Sequence, residues 1–208
     1  CRKTFHIFMT DGDWNSTDGW SRDAGTSGYG NADGTTQTLP DGVVYDTSAA
    51  NTQTRVYRDA FGDGGQYNTF ADLAFHYWAT DLQPSIPNEV AAVTRQAGPV
   101  DVGTTGNPYV IDEYWNPKND PANWQHMVSY TIGFGPGAAL STHTTPKWGG
   151  GAWSGTDYTR LLTGAVGWNN PGEPNSYPDA KSKDLWHAAL NGRGRYIPAT
   201  NVTELSAA

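Results

Sequence analysis

The stretch KTFHIFMTDG, Lys3 to Gly12, constrains this 208-residue chain more than any other. Six of the seven residues from Phe5 to Asp11 are apolar, aromatic or β-branched, and the run stops abruptly at Asp11-Gly12. Phe5, Ile7 and Met9 fall on one face of the implied strand, with His6, Phe8 and Thr10 on the other. Apolar residues on both faces place such a strand inside a parallel sheet covered by helices. Ligands of these sheets sit beyond the carboxyl ends of the strands. Asp11 falls at that edge, and Gly12 lets the chain turn away at once. With Asp13, Asn15 and Asp18 behind it, Asp11 offers hard oxygen ligands suited to Mg2+ or Ca2+. The spacing is not that of an EF-hand loop, because Ser16 stands where Gly is needed and Arg22 where Glu is needed.

Downstream, long polar stretches alternate with a few periodic ones. Residues 12 to 68 are dominated by Asp, Gly, Ser, Thr and Asn, with short strands or a hairpin expected at 43–45 and 54–57. TFADLAFHYWATDLQ, residues 69–83, reads as a helix with Thr69 as N-cap and Asp72 at the third position. Its apolar face is Phe70, Leu73, Ala74, Tyr77, Trp78 and Leu82, Pro84 stops it, and His76 lies off the stripe. One short strand is expected within 107–115. Asp120-Pro121 reads as the start of a short helix, leading into the strand MVSYTIGFG, whose smaller residues lie under a helix. Residues 156–166 form a helix with Leu161, Leu162 and Val166 inward. Ser182 caps a further helix with Leu185, Trp186, Ala189 and Leu190 inward and Gly192 as its stop. A short strand from Arg195 and a helix from Val202 close the chain.

Strand, helix, strand, helix, strand is the second half of a doubly wound α/β sheet. The 208 residues suffice for one core, and 25 Gly with 13 Pro imply long loops joining few elements. A net charge of −8 without a Lys/Arg cluster excludes a nucleic-acid partner. No run of about 18 apolar residues is present to span a membrane. Cys1 is the sole cysteine. It is expected to pair with a cysteine outside this sequence, a lipidated N-terminus being the lesser alternative.

Four ordered blocks carry a resemblance: KTFHIFMTDGDWN, TFADLAFHYWATDL, DPANWQHMVSYTIGFG and DLWHAALNGRGRYIPATN. A strand ending in Thr-Asp-Gly resembles the fourth strand of a von Willebrand factor A domain, and the four blocks together resemble the A-type domain of the PilY/PilC proteins of type IV pilus tips. The resemblance implies a partial von Willebrand factor A-like domain over 1–208. Its core blocks are 1–15, 69–83, 120–135 and 182–205, with insertions at 16–68, 84–119 and 136–181. It further implies a non-enzymatic adhesion and assembly role at the cell surface or pilus tip. The implied partners are pilus proteins such as minor pilins, a host or surface ligand, and the N-terminal part of the same domain. In the family Asp11 is one ligand of a metal-ion-dependent adhesion site. The Asp-x-Ser-x-Ser triplet that completes such a site should precede it, and the nearest imitation here, Asp46-Thr-Ser-Ala-Ala, follows it. The divalent-cation site, with Asp11, Asp13 and Asn15 as its residues, is therefore incomplete within this chain.

The alternative reading is an extracellular carbohydrate-binding or glycoside-hydrolysing protein. Trp14, Trp20, Trp115, Trp148 and Trp153, if exposed, would stack on sugar rings beside Asp112, Glu113 or Asp157. Adjacent strand residues such as Asp112 and Glu113 point to opposite faces, which suits a catalytic pair poorly. No Gly-x-Ser-x-Gly elbow or phosphate loop is present. His126 and His187, each beside a Trp, lack the partners of a zinc site and are expected to hydrogen-bond structurally.

Overall fold

A computed structural model describes residues 3–11, 29–59, 69–94, 100–101, 110–134, 153, 155–168, 171, 180–199 and 201–206. Its centre is a parallel sheet of three strands in the order β1 (Thr4–Thr10), β8 (Met127–Phe134), β9 (Arg193–Ala199). Three antiparallel pairs of two-residue strands surround it. These are β2 (Gln37–Thr38) with β3 (Val44–Tyr45), β4 (Val93–Thr94) with β7 (Asn119–Asp120), and β5 (Val100–Asp101) with β6 (Val110–Ile111). The helices are α1 (Phe70–Ala79), α2 (Thr156–Thr163), α3 (Ala180–Asn191) and α4 (Val202–Ser206). The α/β class expected from the sequence is met.

Parallel register puts residues of equal side on one face, so Phe5, Ile7 and Met9 align with Val128, Tyr130 and Ile132. The opposite face carries Ser129 and Thr131 and lies under α1 and α3. Thr131 Oγ1 donates to the Leu185 carbonyl at 2.6 Å, which fixes α3 close against the small residues of β8. The expectation for β8 is met over Met127–Phe134, while its expected end at Gly135 lies outside the described residues. That for β1 needs correction: it is an edge strand, and Phe5, Ile7 and Met9 are 58, 67 and 60% exposed. Only its His6–Phe8–Thr10 face is covered, with Phe8 stacked on Phe70 at 4.8 Å between ring centroids.

Helix α1 begins as the sequence predicts. The Thr69 hydroxyl accepts from the Asp72 amide, and the Asp72 carboxylate accepts from the Thr69 amide and hydroxyl. The helix ends at Ala79, short of Gln83, because the chain there turns to pair with residues leading into β8; the Leu82 amide donates to the Gln125 carbonyl at 2.8 Å. Its buried face is Ala71, Ala74, Phe75, Trp78 and Ala79, while Phe70, Leu73 and Tyr77 are half-buried. The face is rotated from the predicted one because residues 29–59 pack on it as well, with Tyr45 against Phe75 at 4.5 Å. Thr69→Ala removes one member of the capping box, and a loss of about 1–2 kcal/mol in urea unfolding is expected.

Further corrections are local. Residues 55–57 form a 3-10 turn instead of a strand. No helix follows Asp120, whose carboxylate is engaged by Lys3, His126 and Trp78 in place of capping. Helix α3 starts at Ala180, so Ser182 lies inside it, and the left-handed residue at its end is Arg193 (φ 56°). The core also draws on stretches read as insertions: Leu39, Tyr45, Val56, Tyr57, Ile111 and Trp115 are all buried in it.

Candidate functional site at the strand ends

Because β1, β8 and β9 are parallel, their carboxyl ends share one edge. Asp11 stands there, exposed, directly after β1, with the Thr10 hydroxyl 3.4 Å from its Oδ1. Next along the same edge Asn201 caps α4, its Oδ1 accepting from the Glu204 amide at 3.0 Å. Asp13 and Asn15 lie outside the described residues, as do Cys1, Trp14, Asp18, Trp20 and Trp148. Among the described residues no three His, Cys, Asp or Glu converge as a metal centre. Asp11 thus stands at the strand-end edge, and no described side chains join it in a metal centre.

The carbohydrate reading fares differently. Trp115 is buried, and the Tyr57 hydroxyl donates to its carbonyl at 2.7 Å, so it presents no platform to a sugar. Trp153 is half-buried with the Arg195 guanidinium 5.8 Å from its ring. Asp157 is buried beside Arg160 at 3.4 Å, whereas Asp112 and Glu113 are exposed. His76 is half-buried, stacked 4.5 Å from the Tyr29 ring. His126 and His187 are structural, as expected. His126 bridges the Asp120 carboxylate and the Trp124 carbonyl, and His187 Nε2 donates to the Tyr57 carbonyl at 2.8 Å. Burial holds His187 down at about 3, hence neutral.

The strongest electrostatics lie in the interior, around the N-terminus of α1. Asp184 accepts from the Phe70 and Ala71 amides, completing the capping begun by Thr69. Asp72 Oδ1 accepts from Ala32 at 2.7 Å, tying residues 31–33 to the helix. Asp33, fully buried, accepts from Asn191 Nδ2 at 2.7 Å. The sequence marks only Asp72 among these, since the partners of Asp33 and Asp184 are more than 100 positions away. Asn31-Ala-Asp33-Gly34, a polar pair closed by Gly, is the signal that was available for the rest.

These groups set a pH dependence. Burial pushes Asp184 up to about 8 and Asp72 up to about 6, against an ordinary value of about 4. Both bind protons more tightly folded than unfolded, so their stabilisation is full below about pH 4 and is lost as pH rises through 6 and 8. Asp120 runs the other way. Burial opposes it, but hydrogen bonds and charge from His126 and Lys3 hold its carboxyl well below the usual range, and its contribution is lost as pH falls through that depressed value. In chelator-containing buffer the melting temperature should therefore peak in the mildly acidic range and fall steadily toward pH 9. A flat profile from pH 5 to 9 would contradict this assignment.

The architecture is that of a mixed α/β module on a parallel sheet, with one carboxylate at the strand-end edge. Over its whole length the chain is similar to PilY1-type type IV pilus biogenesis factors, the similarity that the four ordered blocks implied. It is similar to type IV pilus biogenesis factor PilY1 of Pseudomonas aeruginosa strain PAK, 40% identical over 208 residues, all of this chain and 15% of the relative. The PilY1 of strain UCBPP-PA14 is 35% identical over 205 residues, 99% of this chain and again 15% of the relative. The chain thus spans about one seventh of the relatives it matches. No family model matches it. No solved structure matches it. No described helix is long and apolar enough to cross a membrane.

Proposed function

We propose that this chain is a module of the type IV pilus biogenesis machinery, acting at the cell surface or pilus tip without bond chemistry. It binds pilus proteins such as minor pilins, and a host or surface ligand, with help from a divalent cation at Asp11. The observation that carries the pilus role is the alignment of every residue with pilus biogenesis factors. The adhesive, metal-assisted part is supported by the position of Asp11 at the carboxyl edge of three parallel strands, where ligands of such sheets bind. In this reading the chain is the second half of a von Willebrand factor A-like domain, divided into the core blocks and insertions given above. Strands supplied by another part of the polypeptide pair beside β1, and a helix covers Phe5, Ile7 and Met9. A long apolar edge left open invites aggregation, which such pairing removes.

Two measurements test the reading. In the full-length protein, surface binding should require Mg2+ or Ca2+ and fall at least tenfold in D11A, with the protein still folded and exported. Cation-independent binding, unchanged in D11A, would remove Asp11 from the mechanism. Amide exchange along Thr4–Thr10 should be much slower in the full-length protein than in the 208-residue chain. Equal exchange would show that nothing completes the edge.

A further inference from the structure

Lys3, the residue just before β1, turns its side chain inward. Its ammonium is in direct contact with Oδ2 of Asp120, 117 positions further on. The two side chains are only 14 and 7% exposed. The same carboxylate is gripped at both oxygens. Trp78 Nε1 donates to Oδ1 at 3.2 Å, and His126 Nε2 lies 3.1 Å from Oδ2. His126 Nδ1 gives its proton to the Trp124 carbonyl at 2.7 Å, so Nε2 is the ring nitrogen left to exchange a proton with Asp120. The walls of the site are fixed. Trp124 Nε1 donates to the Trp78 carbonyl at 2.7 Å, the two indoles stand 5.5 Å apart between centroids, and Trp78, Trp124 and His126 are all buried. An amine and a carboxyl held in contact, largely shut from water, are reactants as well as an ion pair. Desolvation favours the uncharged form of each, and a desolvated lysine is a nucleophile. Holding the two groups together replaces a collision with an intramolecular step.

We propose that Lys3 and Asp120 form a cross-linking site, at which the chain joins them through an intramolecular isopeptide bond. The step balances without oxidant or co-reactant. The Lys3 ammonium passes one proton to the Asp120 carboxylate. The neutral Nζ attacks Cγ, and the negative charge that develops on Oδ1 faces the Trp78 N–H. His126 Nε2 takes a second proton from Nζ and delivers it to Oδ2. The Cγ–Oδ2 bond breaks, water leaves, and Nζ keeps one proton in the new amide. The carbonyl oxygen of that amide is Oδ1, already matched to the Trp78 donor. Lysine and aspartate no longer bury opposite charges, so the desolvation cost of their ion pair disappears. The bond clamps the start of β1, the exposed edge strand of the sheet, to the β7 segment that leads into β8. With a single cysteine, the sequence forms no internal disulfide that could serve this purpose. The proposal depends neither on Asp11 nor on the identity of a binding partner.

Intact mass and peptide mapping test the proposal, on the purified chain and again on the full-length protein that carries it. The wild-type chain should be lighter than its sequence by one water, and trypsin should leave the peptide bond after Lys3 uncut. Fragmentation should locate the loss in a branched peptide joining Lys3 to Asp120. K3R, whose guanidinium keeps the ion pair but forms no such amide, should have the full sequence mass. It should also melt roughly 10 °C lower, because no link then restricts the unfolded chain. H126A should join the two residues about a hundredfold more slowly after synthesis; should it not fold, K3R decides the question of the bond. A wild-type chain of full sequence mass, cut normally after Lys3, would show an ion pair only and would overturn the proposal. A missing water that persists in K3R would place the loss elsewhere and overturn it as well. Linkage at the wild-type rate in H126A would overturn the part given to His126.

Discussion

Gly194→Ala is expected to cost more than about 4 kcal/mol and to leave little soluble protein. Between Ser129–Arg193 and Thr131–Tyr196 the pairing of β8 and β9 shifts by one residue, so the extra residue of β9 bulges against the central strand. Gly194 lies in that bulge. A Cβ there would sit 1.9 Å from the Ser129 carbonyl oxygen and 2.6 Å from its carbon. Both atoms are backbone of the central strand, so no side chain can rotate aside. Relief would require β9 to lift from β8 and take with it Tyr196, which is fully buried. Gly42→Ala is the control. It has φ 88° but no atom within 4 Å of its Cβ, and should cost only about 1 kcal/mol, from backbone strain alone. Urea unfolding of the pair separates the two causes. A Gly194→Ala cost as small as that of Gly42→Ala would mean that β9 does not approach β8 as described.

Arg193→Lys is the second large effect, and the revealing comparison is with Arg193→Met. The Arg193 guanidinium is 1% exposed, with its Cζ 4.3 Å from the Tyr57 and Trp78 ring centres and 5.7 Å from that of Trp115. Nη1 donates to the Tyr57 hydroxyl at 2.5 Å, and no carboxylate pairs with it among the described residues. A flat, weakly hydrated cation fits between aromatic faces, whereas a lysine ammonium is a strongly hydrated point charge. Lysine here would leave a desolvated charge without the stacking, at a cost of about 3 kcal/mol or more. Methionine fills much of the space without charge and should cost roughly 1–2 kcal/mol. The expected order of stability, Arg then Met then Lys, is readable from urea midpoints. Lysine equal to arginine would show that the stacked plane contributes nothing.

The parts of this fold that were legible in the sequence are those fixed by neighbours within a turn or two. Thr69 and Asp72 announce α1 because a capping box needs only residues three apart. The alternation from Val128 to Phe134 announces β8 and even its covered side, since Ser129, Thr131 and Gly133 leave room for α3. What the sequence could not tell was who covers whom. Phe5, Ile7 and Met9 are as apolar as any core residues, and pattern alone reads them as buried; three strands and their helices cover only the other face. The aromatic cage of Arg193 is assembled from positions 57, 78 and 115, and Asp33 meets Asn191 across 158 positions. No periodicity encodes such meetings. Stretches rich in Gly, Asn and Asp read as insertions for the same reason. Their few aromatic residues, Tyr45, Tyr57 and Trp115, are spaced too irregularly to show that they point into the core. At the strand-end edge Asp11 was legible because a carboxylate after an apolar strand has a fixed position. The interior cluster was not, because its members act as caps and turns locally and Asp33 meets Asn191 only across the fold.

A segment that serves pilus biogenesis is expected to be needed for surface pili. In cells whose only copy of the full-length relative lacks the segment, pili should be strongly reduced, while the shortened protein is still made and exported. Restoring the segment in this chain's sequence should return pili. Normal piliation without the segment would contradict the account.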